Sequence, residues 1–121
     1  MLYQQRRLPE ADKLLGQILQ RAPGHVDALH LAAIIAQETG RMQRAATLLA
    51  KAVKLRPNAA PLHDALANVL NALSQRREAL THWNMAVQVE PGFADAWVNR
   101  GSLLKALDRT EEAVEIGRAH V

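Results

Sequence analysis

The sequence predicts an all-α fold: a right-handed solenoid with two full helix–turn–helix repeats flanked by partial ones. Pro23, Pro57 and Pro91 follow one another at an interval of 34 residues, a period typical of helical repeat proteins. Only 3% of the residues are aromatic although 49% are apolar, so Ala, Leu, Val and Ile must build the core. Because alanine takes little room and is the best helix former, this composition favours closely packed helices over a sheet sandwich.

Side chains of similar size recur at the same interval as the prolines. Two columns of small residues are present: Ala11, Ala45, Ala79 and Ala113 in one, and Ala33, Ala67 and Gly101 in the other. Small residues on one helix allow its partner to approach closely, and large residues fill the neighbouring gaps. Trp83 stands in a column of large residues with Leu15 and Leu49, and Trp97 stands in a column with His63. Both tryptophans are therefore expected in the core. Arg100 stands in a column with Ala32 and Leu66, where a charge is costly unless it reaches solvent.

The helical period of the apolar residues and the stop signals between them predict the helix boundaries. Gly40 tolerates the left-handed turn that follows a helix, and Pro57 disfavours helix in the residue before it. The predicted helices cover residues 8–21, 26–39, 41–55, 61–73, 76–89 and 94–107, and a further helix begins at Thr110.

These helices divide the chain into a repeat array at residues 1–115 and a short tail. The array consists of a partial repeat at 1–25, full repeats at 26–59 and 60–93, and a partial repeat at 94–115. Gly117 and His120 interrupt the columns where a large apolar and a small residue are due. Residues 116–121 are therefore expected to be a non-native or frayed tail on a fragment of a longer protein.

One run of residues carries a family resemblance. The pattern Ala96-Trp97-x-Asn99-x-Gly101-x-x-Leu104, followed by Glu112-Ala113 and combined with the proline interval, resembles the tetratricopeptide repeat along nearly the whole chain. The resemblance implies a protein–protein interaction scaffold that binds a peptide or protein partner in a concave groove and is not an enzyme.

Two alternatives stay open. The stretches at residues 25–31 and 91–99 are similar to repeats in front of bacterial O-linked N-acetylglucosamine transferase-like enzymes, and arrays attached to some sulfotransferases look alike. That similarity implies a substrate-recruiting fragment of a larger transferase. The other alternative is a structural subunit that self-associates through its exposed end repeats.

Candidate ligand-binding residues follow from the family's geometry, in which the first helix of each pair lines the concave side. The residues outside the packing columns of those helices are Asp27, His30, Leu31, Ile34, Asp64, Asn68, Asn71, Val98, Asn99, Ser102 and Lys105. An asparagine amide offers a donor and an acceptor together, so it can pair with the backbone of an extended peptide of any sequence. The alternative interpretation is a solvated polar helix face.

The charges near these positions indicate what kind of ligand fits. Some repeat domains of this family grip a peptide's C-terminal carboxylate with paired lysines and asparagines. Here Asp27, Asp64 and Asp95 lie near the predicted groove, and Lys105 is its only cation. Because an acidic groove repels a carboxylate, a basic or neutral ligand is expected instead.

Other partners and chemistries are disfavoured by composition. The net charge is only +3, and the basic residues are not gathered with aromatic residues that could stack bases, so no nucleic-acid partner is expected. The longest apolar run, at residues 31–36, is far short of the roughly 20 residues that span a membrane, so no membrane association is expected. The absence of cysteine fits a reducing compartment and a cytoplasmic location.

No catalytic, metal or cofactor site is predicted either. The five histidines do not pair at one-turn spacing with acidic neighbours, as a helical zinc site requires. The sequence shows no nucleophile next to a base and no phosphate-binding glycine loop, so neither a reaction nor a cofactor is assigned.

Overall fold

Six helices follow one another along the chain, and the part of the chain that the structure describes contains no strand. The computed structural model describes the backbone of residues 2–119 and the side chains of residues 7–111. The helices are α1 (Leu2–Arg21), α2 (Val26–Glu38), α3 (Met42–Leu55), α4 (Ala60–Ala72), α5 (Arg76–Val89) and α6 (Ala94–Ala119). Each helix packs on the next, and α4 also touches α6. This arrangement of paired helices confirms the predicted all-α helical repeat solenoid.

The loops that precede the first helices are closed in the same way in each repeat. The backbone N–H groups of His25, Ala59 and Phe93 donate to the carbonyl oxygens three residues earlier, at 3.1, 3.2 and 3.0 Å. Each of these loops contains one of the regularly spaced prolines, which cannot continue the preceding helix. The 34-residue period is therefore a period in backbone geometry as well as in sequence.

The turns inside the two complete hairpins also match each other. Gly40 and Ser74 both adopt positive φ, 78° and 65°, at equivalent positions after α2 and α4. The next residues, Arg41 and Gln75, donate backbone hydrogen bonds of 2.7 and 2.8 Å to the carbonyl oxygens of Ala36 and Leu70. Each turn thus satisfies a carbonyl group that the end of a helix leaves unpaired.

No such turn occurs in α6, so the predicted break between residues 107 and 110 is wrong. Asp108 stands 34 residues after Ser74, yet the helix continues through it to Ala119. The segment around Asp108 contains neither glycine nor proline, and the Thr110 hydroxyl donates to the carbonyl oxygen of Ala106 at 3.0 Å, as it does inside a helix. Local helix propensity therefore prevails over the repeat pattern.

The first helix is also longer than predicted, since α1 begins at Leu2 and not at residue 8. Pro9 lies inside α1, where it removes one backbone hydrogen bond. The residues before it are helix formers such as Gln and Arg. At the other end, helix continues past Gly117, and residues 120 and 121 of the predicted tail lie outside the described residues.

The core confirms the columns of small residues inside the two complete hairpins but not at the ends of the described part, where Ala11 is half-buried and Gly101 is exposed. Ala33, Ala45, Ala67 and Ala79 are all fully buried, and Trp83 is buried with them. Ala113 lies outside the residues whose side chains are described. Trp97 is 46% exposed, so its predicted place in the core is wrong. Among the described residues no second helix covers Trp97, because α6 does not turn back.

None of the described helices is both long enough and apolar enough to cross a membrane.

Candidate peptide-binding groove

The predicted ligand-binding residues lie on α2, α4 and α6, the first helices of the repeats. We call this set of side chains the first-helix face. Its exposed members are Asp27, Leu31, Ile34, Asn68, Asn71, Val98, Ser102 and Lys105, and its half-buried members are His30, Asp64 and Asn99. Eight of the eleven side chains are therefore accessible to a ligand.

Apolar side chains are exposed at both ends of the first-helix face. Leu31 on α2 is 52% exposed and Val98 on α6 is 66% exposed, and Ile34 is exposed beside Leu31. Between them, α4 presents the amides of Asn68 and Asn71. The face thus combines apolar surface, which gains from being covered, with groups that donate and accept hydrogen bonds.

Asp64 has a structural contact in addition to its place on this face. Its Oδ1 atom accepts hydrogen bonds from Nε1 of Trp83 at 2.9 Å and from Nδ2 of Asn99 at 3.2 Å. These bonds join α4 to α5 and to α6. The Asn99 amide nitrogen uses one of its two hydrogens in this bond, so its second hydrogen and its carbonyl oxygen remain to pair with a ligand. The sequence placed both residues on one face but did not indicate that they bind each other.

Arg100, next to Asn99, is the charged residue that the sequence placed in a packing column, and two contacts stabilise its charge. Its Nε donates to Oδ1 of Asn84 at 2.6 Å, and its guanidinium group lies 5.6 Å from the centre of the Trp97 ring. A cation over an aromatic face is attracted to the ring. Asn84 and Trp97 therefore stabilise a half-buried charge at the edge of the first-helix face.

A pair of histidines inside the second complete hairpin was not predicted. His63 is fully buried, and its Nε2 lies 2.7 Å from the carbonyl oxygen of Pro57. Because a carbonyl group only accepts, Nε2 of His63 carries the hydrogen, and its Nδ1 accepts from Nδ1 of His82 at 3.0 Å. The two rings are stacked with their centres 5.2 Å apart.

Both the burial of His82 and the nearby His63 lower the pKa of His82 from its ordinary value of 6.5, and Glu78 partly offsets them. The only sequence signal for the pair was that His63 stands in the column of Leu29 and Trp97. Among the described residues, no group of three His, Asp or Glu side chains is placed to hold a metal ion.

Trp97 repeats the contact that His63 makes. Its Nε1 donates to the carbonyl oxygen of Pro91 at 2.8 Å, and Pro91 is the counterpart of Pro57. In both repeats a ring N–H therefore binds the carbonyl group of the loop proline. This shared contact explains how two different aromatic rings occupy one column.

Family models agree with this geometry. Two models of the tetratricopeptide repeat match the chain, one at residues 2–69 and the other at residues 65–121. The first of them alone covers more than half of the chain. The chain belongs to the tetratricopeptide repeat family.

Solved structures with the same fold include tetratricopeptide repeat proteins of several kinds. MamA superposes with a TM-score of 0.81 at 18% identity, over 93% of this chain and 66% of MamA. The first tetratricopeptide domain of Spaghetti (RPAP3), bound to the HSP90 peptide SRMEEVD, gives a TM-score of 0.80 at 17% identity, over 88% of this chain and 84% of that domain. At these identities the similarity shows the fold.

A mutant O-GlcNAc transferase of Thermobaculum terrenum is more similar in sequence. It is 31% identical over 84% of this tetratricopeptide repeat chain, with a TM-score of 0.72. The aligned part is 20% of the transferase chain. This chain thus spans just under two thirds of MamA and about a fifth of the transferase.

Proposed function

We propose that this tetratricopeptide repeat chain is a non-catalytic scaffold that binds an extended peptide segment of a partner protein along the first-helix face. The observation that carries the proposal is the alternation on this face of exposed apolar side chains, Leu31 and Val98, with the exposed amides of α4. Apolar side chains provide affinity when covered, and amides pair with a peptide backbone. The absence of cysteine supports a cytoplasmic location for this scaffold.

The charges of the face favour a neutral or basic peptide. Asp27 and Asp64 belong to the face, and Lys105 is the single cation among its eleven residues. At its edge, Asp95 is exposed near the start of α6, and the Arg100 guanidinium group is bound to Asn84. Opposite charges attract and like charges repel most strongly where water is partly excluded. An acidic peptide such as the SRMEEVD segment bound by the RPAP3 domain is therefore expected to bind poorly.

The test is a selection of peptides from a random display library on the immobilised chain, followed by fluorescence anisotropy with the selected peptides. Asn68→Ala should weaken binding about fivefold to tenfold, which corresponds to the free energy of one or two lost hydrogen bonds. Helicity by circular dichroism should not change, because Asn68 is exposed. Asn58→Ala, at an exposed loop asparagine, is the matched control and should bind as the unaltered chain does.

Two results contradict the proposal. One is equal binding by the Asn68→Ala variant and the control. The other is a selection dominated by acidic peptides, including SRMEEVD itself. Asn99→Ala is a poorer probe, because that variant also loses the hydrogen bond to Asp64.

A second candidate function is recruitment of protein substrates for a glycosyltransferase or sulfotransferase domain in the same polypeptide. The observation that favours it is the 31% identity with the O-GlcNAc transferase over 84% of this chain. The test is the genomic reading frame downstream of Glu115. A transferase domain in that frame supports recruitment, and an unrelated sequence or a stop codon contradicts it.

A further inference from the structure

A groove of about 350 Å³ lies between α3 and α5, the second helices of the two complete hairpins. Leu66 and Leu70 of α4 form its apolar floor. Both leucines lie on the side of α4 opposite Asn68, because a step of two residues turns a helical side chain by about 200°. The groove is therefore separate from the first-helix face.

His82, on the α5 wall of this groove, has a ring nitrogen that can only accept a hydrogen bond. Its Nδ1 donates to Nδ1 of His63, and the hydrogen of the His63 ring is on Nε2, which binds the carbonyl oxygen of Pro57. A neutral imidazole carries one hydrogen, so Nε2 of His82 has a lone pair. Burial and the nearby His63 lower the pKa of His82, and Glu78 partly offsets them, so this nitrogen stays unprotonated at neutral pH.

Glu78 places a carboxylate on the same wall, one helical turn before His82. It is exposed and forms no ion pair within the part of the chain whose side chains are described. A nitrogen lone pair and a carboxylate thus lie beside an apolar floor. A ligand that satisfies both must supply at least two hydrogen-bond donors and a positive charge.

The chain itself shows that an arginine can bridge two neighbouring second helices. In the preceding repeat, Nη2 of Arg41, just before α3, binds Oδ2 of Asp12 on α1 at 3.1 Å. The positions 34 residues later are Gln75 and Ala46, and both line the groove between α3 and α5. This groove therefore lacks the arginine that the chain supplies between α1 and α3.

We propose that the groove between α3 and α5 binds an arginine side chain of a partner protein, with its guanidinium group between Glu78 and His82. A guanidinium group offers five N–H donors in a planar fork, so it can donate to the carboxylate and to Nε2 of His82 together. The aliphatic part of the arginine covers Leu66 and Leu70. This site is a second one, in addition to the proposed peptide binding along the first-helix face.

A nuclear magnetic resonance titration of the whole chain with N-acetyl-arginine amide tests the proposal. This probe should shift the ring signals of His82 and the side-chain amide signals of Gln75 in a saturable way. N-acetyl-citrulline amide has nearly the same shape without the charge and should bind about tenfold more weakly. N-acetyl-lysine amide should also bind more weakly, because its ammonium group is a compact point charge without the planar fork.

Two substitutions at exposed residues of the groove should weaken binding of the arginine probe. Glu78→Gln removes the carboxylate and should weaken it by about tenfold. Gln75→Arg supplies an arginine of the chain itself, as Arg41 does in the preceding repeat, and should block the groove. The Gln75 side chain makes no capping hydrogen bond to α5, so circular dichroism should show unchanged helicity.

Glu10→Gln is the matched control, because Glu10 is exposed on α1 two repeat periods before Glu78. It makes the same change of charge away from the groove and should bind the probe normally. Asn68→Ala should also bind it normally, so loss of this site and loss of peptide binding along the first-helix face are distinguishable.

Several results overturn the proposal. They are equal binding of the citrulline or lysine probe, undiminished binding by a folded Glu78→Gln variant, and no saturable change in the His82 signals. Shifts confined to Asn68 and Asn71 also overturn it, because they place the arginine on the first-helix face.

Discussion

At the scale of single residues, the fully buried His63 and the half-buried His82 join α4 to α5 through a hydrogen bond between their rings. The His63 ring donates to the carbonyl group of Pro57 and accepts from His82, so both of its nitrogens are used. Trp83 similarly donates to Asp64 across the same two helices. Polar contacts therefore specify how the second hairpin closes, within a core that is otherwise apolar.

The histidine pair predicts a pH-dependent stability. Since burial and His63 lower the pKa of His82 in the folded chain, the unfolded chain takes up a proton first as the pH falls below 6.5. The free energy of unfolding should therefore decrease as the pH falls from 6.5 towards the lowered pKa, and it should be regained above 6.5. Urea unfolding at pH values on both sides of 6.5 measures this change.

His82→Asn is the control for this effect, because an asparagine amide can donate to His63 but does not titrate in this range. Its stability should depend less on pH than that of the unaltered chain. An equal pH dependence in both proteins would assign the effect to other groups.

At the scale of helices and turns, one left-handed residue decides whether a hairpin forms. Gly40 and Ser74 adopt positive φ and reverse the chain, whereas the helix continues through Asp108. Serine lacks the freedom of glycine at positive φ, so the turn after α4 carries a backbone strain that the turn after α2 avoids.

Replacing Ser74 with glycine should relieve this strain. We expect Ser74→Gly to raise the free energy of unfolding by about 1 kcal/mol and Gly40→Ala to lower it by about the same amount. Thermal and urea unfolding provide the measurement. Gly16→Ala is the control, since Gly16 lies inside α1 with open space around it, and this change should stabilise by roughly 0.5–1 kcal/mol. If the Ser74→Gly variant were less stable than the unaltered chain, the backbone at Ser74 would not be strained.

At the scale of the whole molecule, stability depends on the contact of each helix with its neighbours. In such a stack, the free energy of unfolding is approximately the sum of a contribution from each repeat and a contribution from each interface between neighbouring repeats. The fully buried alanines allow these interfaces to be close, and the ends of the stack expose the surfaces that a further helix would cover.

Overpacking one interface should therefore destabilise the array. Ala79 is fully buried, so Ala79→Phe should separate α4 from α5 and cost about 1–3 kcal/mol or more. Circular dichroism during urea unfolding measures the loss. Ala50→Phe places the same ring at an exposed alanine of α3 and should change stability by less than about 0.5 kcal/mol. Equal effects at the two sites would contradict close helix packing.

From the sequence alone we could predict the repeat period, the four central helices to within a residue or two, and the burial of the small columns inside the two complete hairpins. These features depend on helix propensity and on apolar spacing, which are local properties of the chain. Both end helices were mispredicted, for different reasons. The helix α1 begins at Leu2 and passes through Pro9, which was expected near its start. The helix α6 continues through the break expected between residues 107 and 110, because the local helix propensity does not support that break.

Which side chains bind each other could be learned from the packed helices alone. Asp64 and Asn99 were both predicted to face a ligand, yet they are joined by a hydrogen bond across 35 positions of sequence. His63 and His82 meet because α4 and α5 pack face to face, and Trp97 is exposed because no helix turns back over it. Such contacts depend on the relative placement of whole helices, and no local pattern of residues specifies that placement to the precision of a hydrogen bond.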